Sequence, residues 1–325
     1  MSFPSITTLT LNPAIDRTVT IPGFTAGAVN RVEQTNDRAG GKGINVAAAL
    51  AAHGQAVAAL GFLGRNNEAA FTSFFKAHGI EDRCVRLPGS TRVGIKITDP
   101  VRNETTDINF PGLSPSAAEL AALRAQLDAL AGGWCVIAGS LPPGVPVSIY
   151  REFIITLKAR GVRTVLDSSG EALREALKAG PDFIKPNVHE LEAHLGRALP
   201  TEADVIAAAR ELVAGGVALV VVSRGADGAC FVTANEAVVA RPPSVAVRST
   251  VGAGDAMVAG VVAAQLRGLS LADTARLATA FSLAALTRGD DGEAGDGGVA
   301  VAVAGFVERV EIIVIEGERT SRSVS

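Results

Sequence analysis

Cysteine, histidine and surplus charge are all scarce in this 325-residue chain, and each scarcity removes a class of function. The three cysteines, Cys84, Cys135 and Cys230, are odd in number and scattered through apolar surroundings. They build neither a disulfide framework nor a thiolate metal site, and they suit a reducing, cytoplasmic setting. The four histidines, His53, His78, His189 and His194, fall at no ligand spacing. A net charge of −3 gives no reason to expect nucleic acid or an anionic membrane as a partner. The first residues lack a basic region followed by an apolar core, so no signal peptide is expected. The long apolar stretches are cut by Arg210, Arg267 or Glu308-Arg309, so no membrane span is expected either. Internal repeats are absent, and no Ser/His/Asp order stands out. A Rossmann glycine fingerprint after the first strand, which a nucleotide-binding dehydrogenase needs, is also missing.

What is present is apolar and rhythmic. Hydrophobic residues make up 48% of the chain, enough for a sizeable core. Strand-like runs at 7–10, 57–60, 134–138, 163–167, 183–185 and 219–223 alternate with helical patterns. The helical patterns lie at 44–53, 68–78, 116–131, 147–160, 203–214 and 256–266. That alternation predicts an α/β fold with a mostly parallel sheet covered on both faces. Two regions, roughly 15–35 and 91–110, instead alternate apolar and polar residues around turn signals such as Pro22-Gly23 and Arg102-Asn103. They read as half-exposed antiparallel hairpins forming a small β lid.

The richest stretch is Thr250-Val251-Gly252-Ala253-Gly254-Asp255, which leads into an Ala-rich helical pattern. Glycines at a helix start bare backbone N–H groups to an anion, and the helix dipole assists. An acid at the rim of such a cradle would repel a phosphate. It makes sense as a base that takes a hydroxyl proton while the cradle stabilises a phosphoryl group. The competing reading is an Asp that caps its helix. Asp16 follows the first strand and can hold sugar hydroxyls or simply face solvent in a turn. Gly40-Gly41-Lys42-Gly43-Ile44-Asn45 is no Walker A motif, yet its glycines admit a ligand, with Lys42 for an anion and Asn45 for a hydroxyl. Arg92 and Asn109 sit in the second lid region, and Ser140 follows a buried strand. Asn187 and Glu190 have capping-box spacing, or else they organise hydrated Mg²⁺ after Lys185. Ser223-Arg224-Gly225-Ala226-Asp227-Gly228 ends a strand and offers a hydroxyl and free backbone to phosphates.

Taken together, in this order, these motifs resemble those of PfkB-type (ribokinase-like) sugar kinases over about residues 7–287. The resemblance implies a three-layer αβα sandwich with a β lid, as a kinase domain over 1–288 with an atypical tail over 289–325. Within the family, Thr8-Leu9-Thr10-Leu11-Asn12-Pro13, Gly61-Phe62-Leu63-Gly64 and Thr106-Asp107-Ile108-Asn109-Phe110 point to the branch acting on fructose 1-phosphate. The implied reaction is ATP-dependent phosphorylation of the C6 hydroxyl. The same chemistry on fructose 6-phosphate or tagatose 6-phosphate is the alternative, and a catalytically weak sugar-phosphate binder is the distant one. By resemblance, Asp255 is the base and Gly252, Ala253 and Gly254 complete the anion hole. Asp16, Gly41, Lys42, Asn45, Arg92, Asn109 and Ser140 hold the sugar phosphate. Lys185, Asn187, Ser223, Arg224, Gly225, Ala226, Asp227 and Gly228 join Gly254 and Asp255 at ATP. Glu190 serves Mg²⁺ through water, and a monovalent cation such as K⁺ sits near the anion hole. The lids are implied to pair in a homodimer, with Arg31 reaching the neighbouring copy's site. After Arg288 the pattern departs. Residues 289–298 carry four acids and five glycines with no apolar anchor and read as a mobile linker. The apolar stretch at 299–315 is expected to dock on the body.

Overall fold

The strands, in chain order, are β1 (Ile6–Thr10), β2 (Ala14–Thr20), β3 (Gln34–Gly40), β4 (Val57–Gly64), β5 (Glu81–Asp82), β6 (Val85–Leu87), β7 (Val93–Asp99), β8 (Glu104–Ile108), β9 (Trp134–Ala138), β10 (Arg163–Asp167), β11 (Phe183–Ile184), β12 (Leu219–Ser223), β13 (Ala229–Val232), β14 (Ala237–Arg241) and β15 (Glu311–Ile315). The helices are α1 (Lys42–Ala51), α2 (Ala69–Ala77), α3 (Ala117–Asp128), α4 (Ile149–Ala159), α5 (Gly170–Leu177), α6 (Val188–Leu195), α7 (Glu202–Ala214), α8 (Ala253–Leu266), α9 (Leu271–Thr287) and α10 (Asp296–Val307). This computed structural model describes residues 4–288 and 296–315.

Among the described residues, eleven strands form the main sheet, in the order β15-β14-β13-β12-β11-β10-β9-β1-β4-β5, with β6 paired to the far end of β4. From β12 to β5 every pairing is parallel, and β13, β14 and β15 add an antiparallel edge. Alternate side chains of one strand feed opposite faces, as a pleated strand requires. On β9, Val136 and Ala138 enter the core beneath α1, α8 and α9, while Cys135 and Ile137 enter the core beneath α3, α4 and α7. The result is the three-layer arrangement that the alternation of patterns implied.

Helix α8 runs through the middle of one layer and is buried almost all round, from Asp255 to Ala264. Its small side chains make that possible. A Cβ at Gly260 would lie 2.6 Å from the Cα of Ala278, so α8 and α9 touch backbone to backbone there. The four-stranded lid, ordered β3-β2-β7-β8, stands apart from the main sheet. Its two hairpins are antiparallel and join through a parallel β2–β7 pairing. The lid holds its own small cluster of Val19, Ile21 and Ile97.

Most of the stretch expected to be a linker lies outside the described residues, and its last three positions belong to α10. Helix α10 packs on α9, and β15 extends the main sheet beyond β14. Val303 and Val310 are buried there. Burying two valines is worth roughly 3 kcal/mol or more, at about 2–4 °C per kcal/mol in a domain of this size. A chain ending at Arg288 is therefore expected to melt about 6–12 °C lower by calorimetry.

Candidate active site

Gly252 holds φ at 76°, a left-handed conformation that suits glycine, and it is the N-cap of α8. No side chain caps that end. The first helical bond runs from Ala256 N–H to Gly252 C=O, so the amides of Ala253, Gly254 and Asp255 have no partner inside the helix. Asp255 itself is the third helical residue, and its side chain makes no capping bond. Its Oδ2 accepts a bond from Asn45 Nδ2 at 2.8 Å, and Oδ1 has no hydrogen-bond partner among the described residues. The capping alternative for Asp255 is thereby excluded.

Asp255 is 7% exposed. Burial, aided by the like charge of Asp167, raises its carboxyl from the usual 3.8 to about 6, while Asn45, Lys42 and Lys185 oppose the rise. Asp167 ends β10 and was not singled out from sequence. Its Oδ1 accepts from Lys42 Nζ at 2.7 Å, and its Oδ2 lies 3.8 Å from Lys185 Nζ. For Lys42, burial favours the neutral amine, yet Asp167, with Glu190 and Asp255, outweighs it and the ammonium is held more firmly than usual. Lys185 leans over the anion turn: a Cβ at Gly254 would lie 3.2 Å from its Nζ.

The lid contributes a second cluster. The Asp16 carboxylate lies against the backbone of Gly40, with Arg38 opposite it in register on β3 and Gly94 opposite it on β7. Burial raises the Asp16 pKa against the pull of Arg92, Lys96 and Arg38. Asn109 reaches the same face beside Gly94. The Arg92 guanidinium donates to the carbonyls of Pro13, Phe110 and Asn12 at 3.1–3.3 Å, which leaves two of its five N–H donors for a ligand. Asn12 Nδ2 donates to Ser140 Oγ at 3.2 Å and so links the lid loop to the body. Lys42 thus belongs with Asp255, whereas Arg92 belongs with Asp16.

On the other flank, Asn187 and Ser223 lie side by side in a parallel bridge. The capping box is formed: Asn187 caps Glu190 N–H at 2.8 Å, and Glu190 Oε2 accepts from Asn187 N–H at 2.9 Å. Gly225, Ala226 and Asp227 make a short 3₁₀ turn closed by Arg224 N–H to Gly228 C=O at 2.8 Å. The Arg224 side chain is paired with Glu202 and is already committed. Besides Asp167, the residues missed from sequence are Asn12, Arg38 and Lys96. The signal for Asp167 was an acid at the carboxyl end of a buried parallel strand.

A buried aspartate at an uncapped helix start, lysines at its side and a separate four-stranded lid are the parts of a carbohydrate kinase. The pattern of the pfkB family carbohydrate kinase matches residues 9–296, and the chain belongs to that family. It is 54% identical over 284 residues to 1-phosphofructokinase of Rhodobacter capsulatus, covering 86% of this chain and 90% of that protein. Phosphofructokinase-2 of Escherichia coli, solved with substrates and products, superposes with a TM-score of 0.86 at 32% identity, over 93% of this chain and 99% of that one. The same enzyme solved with potassium gives 0.86 at 31% identity, over 94% and 100%.

Asp255 binds its proton more tightly in the folded chain than in the unfolded one, so stability rises as pH falls from about 6 toward 4. At neutral pH the ionised carboxylate costs of the order of 3 kcal/mol. Asp255→Asn is therefore expected to melt above the parent at pH 8, which matched thermal scans will show.

Proposed function

We propose that this kinase transfers the terminal phosphoryl group of ATP to the C6 hydroxyl of fructose 1-phosphate, giving fructose 1,6-bisphosphate. The observation that carries the reading is Asp255: one oxygen fixed by Asn45, the other open, beside three helix amides without an internal partner. The open oxygen takes the hydroxyl proton, and a base near pH 6 is ionised at neutral pH yet still basic enough for the task. The amides of Ala253, Gly254 and Asp255 receive charge on the phosphoryl group in flight. A loose phosphoryl transition state asks for this kind of positioning and neutralisation more than for covalent chemistry.

The substrate side follows from the lid. Asp16 and Asn109 accept and donate to sugar hydroxyls, and Asn45 orients the ring near the base. Arg92, Ser140 and the backbone at Gly41 hold the existing phosphate, while Lys42, paired to Asp167 beside Asp255, faces the phosphoryl group in transfer. Fructose 1-phosphate is favoured because proteins named 1-phosphofructokinase match most of the chain, at 54% and 47% identity. On the nucleotide side, Lys185 makes no hydrogen bond among the described residues, so its donors are free for phosphate oxygens. Asn187, Ser223 and the 224–228 turn flank it.

Kinases of this family use ATP with Mg²⁺. The described residues hold no cluster of three or more His, Cys, Asp or Glu. A cation that keeps its waters and leans on substrate phosphates needs only one or two carboxylates. Glu190 fits: one oxygen closes the capping box and the other is outside it. Bound there, Mg²⁺ would offset phosphate charge through a water-mediated contact with Glu190. A potassium ion near the anion hole is part of the same proposal. We further propose that the lids of two copies pair, since β8 is exposed along its length and Val29 is 91% exposed, with Arg31 reaching across.

A coupled assay of ATP consumption will compare fructose 1-phosphate, fructose 6-phosphate and tagatose 6-phosphate. Fructose 1-phosphate is expected to give the highest kcat/KM, and a preference for either 6-phosphate would reassign the substrate. Asp255→Asn should lower turnover by roughly 10²–10⁴ with little change in sugar KM. Parent kcat/KM should fall as pH drops through about 6.

A further inference from the structure

We propose that Asp167 is a positioning residue of the transfer site, its one carboxylate anchoring the ammonium groups of Lys42 and Lys185 beside Asp255 before substrates arrive. The proposal rests on the kinase reading above. Its support begins with the mount. Asp167 is the last residue of β10, in register with Ala138 of β9. Its carbonyl accepts from Gly139 N–H at 2.9 Å, and the neighbouring Ser168 hydroxyl donates to Gly139 C=O at 3.1 Å. The carboxylate therefore projects from backbone held on two sides.

The side chain is 1% exposed, and a carboxylate so deeply placed needs a compensating cation. It has two. Lys42 comes from α1 on the sugar side, and Lys185 follows β11 on the nucleotide side. The contacts differ in kind. Lys42 Nζ is hydrogen-bonded to Oδ1 at 2.7 Å, whereas Lys185 Nζ stands 3.8 Å from Oδ2. That second distance is too long for a hydrogen bond. Oδ2 accordingly accepts no hydrogen bond in the structure. The acid thus holds the Lys185 charge in place without using its donors, and all three N–H remain for a phosphate.

Lysine stems are long and rich in rotamers, so an unanchored pair would have to be ordered by the substrates at each turnover. Anchoring them on one rigid acid supplies positive charge already aimed at the region where negative charge develops. The same arrangement couples to the base. Asp255 is faced by Asp167, Lys42, Lys185 and Asn45, and Asp167 is the one among them, besides burial, that favours its protonated form.

The test uses the full chain and two variants, Asp167→Asn and Lys42→Met. Removing the acid leaves both lysines to act on Asp255, so the acid limb of kcat/KM should move to lower pH. Removing Lys42 strips one cation and leaves Asp167 less compensated, so the limb should move to higher pH. Turnover of Asp167→Asn at pH 8 should drop roughly 10–100-fold. A second readout needs no catalysis. Acetylation of substrate-free protein with an N-hydroxysuccinimide ester, followed by mass spectrometry, should modify Lys42 at least about threefold faster in Asp167→Asn, because loss of its partner frees the amine. Should Asp167→Asn fail to fold, the Lys42→Met limb decides. An unmoved acid limb with unchanged Lys42 acetylation overturns the proposal. So does a turnover loss in Asp167→Asn that excess Mg²⁺ restores with the limb unmoved, since Asp167 would then serve the metal. A parent that phosphorylates no sugar phosphate defeats the kinase reading instead, while the acetylation rates still judge the anchor.

Discussion

A carboxylate at the first turn of a helix that is buried along nearly its whole length has few ways to keep its charge, and Asp255 uses all of them. Asn45 bonds one oxygen, and two lysines stand near enough to favour ionisation. Yet burial and Asp167 still lift its pKa to about 6. A surface aspartate would be a far weaker base, and a buried one without these neighbours would stay protonated at neutral pH. The base is useful because the opposing influences nearly balance. Every element that supplies one of them must then be held in register with α8.

The parallel sheet provides that register. Ligand crevices in such folds open at the carboxyl ends of the strands, and the site groups sit there: Asp16 beyond β1, Asp167 at the end of β10, Lys185 beyond β11 and Ser223 at the end of β12. Helices α1 and α8 bring Asn45 to Asp255 because they pack against each other on one face. The close contact of Gly260 with α9 lets α8 lie deep enough to carry its N-terminal turn into the crevice. Stability and chemistry conflict at that turn, where three amides are left without the partners that a capped helix would give them.

Much of this was legible in the sequence, for identifiable reasons. The core strands at 134–138 and 219–223 are apolar runs bounded by turn residues, and the structure returns them with the same limits. The anion turn announced itself through its glycines, and Asn187 with Glu190 through the spacing of a capping box. What escaped was what depends on tertiary placement. Helix α9 is an alanine-rich stretch whose burial is set by α8 and α10 rather than by a distinct apolar stripe. Strands β13 and β14 are short and buried on both faces, so they show no alternation. Asp167 was read only as the end of a strand; its place at the carboxyl end of a buried parallel strand was a signal, but its partners come from positions 42 and 185, remote in sequence. Arg92 and Lys42 were read as one group, whereas the carbonyls of Asn12, Pro13 and Phe110 fix the arginine in the lid cluster.

The division into two clusters has a mechanistic consequence. Arg92, Asp16 and Asn109 lie on or against the lid sheet, so their position relative to the base depends on how the lid sits. Asp255, Asn45, Lys42, Asp167 and Lys185 belong to the body and are fixed by the sheet and by α1 and α8. On the proposed roles, charge neutralisation at the reacting phosphoryl group is therefore built into the rigid part of the molecule. Recognition of the sugar phosphate is shared with the more exposed part. In the proposed reaction a phosphorylated sugar bridges the two through its hydroxyls and phosphate. On the proposed roles, ATP alone would meet the body, at Lys185 and the amides of α8, while the hydroxyl that Asp255 is proposed to deprotonate would still be missing. Water admitted there would lack the sugar's contacts to the lid, so binding energy from the lid cluster selects the acceptor and helps keep transfer to solvent slow.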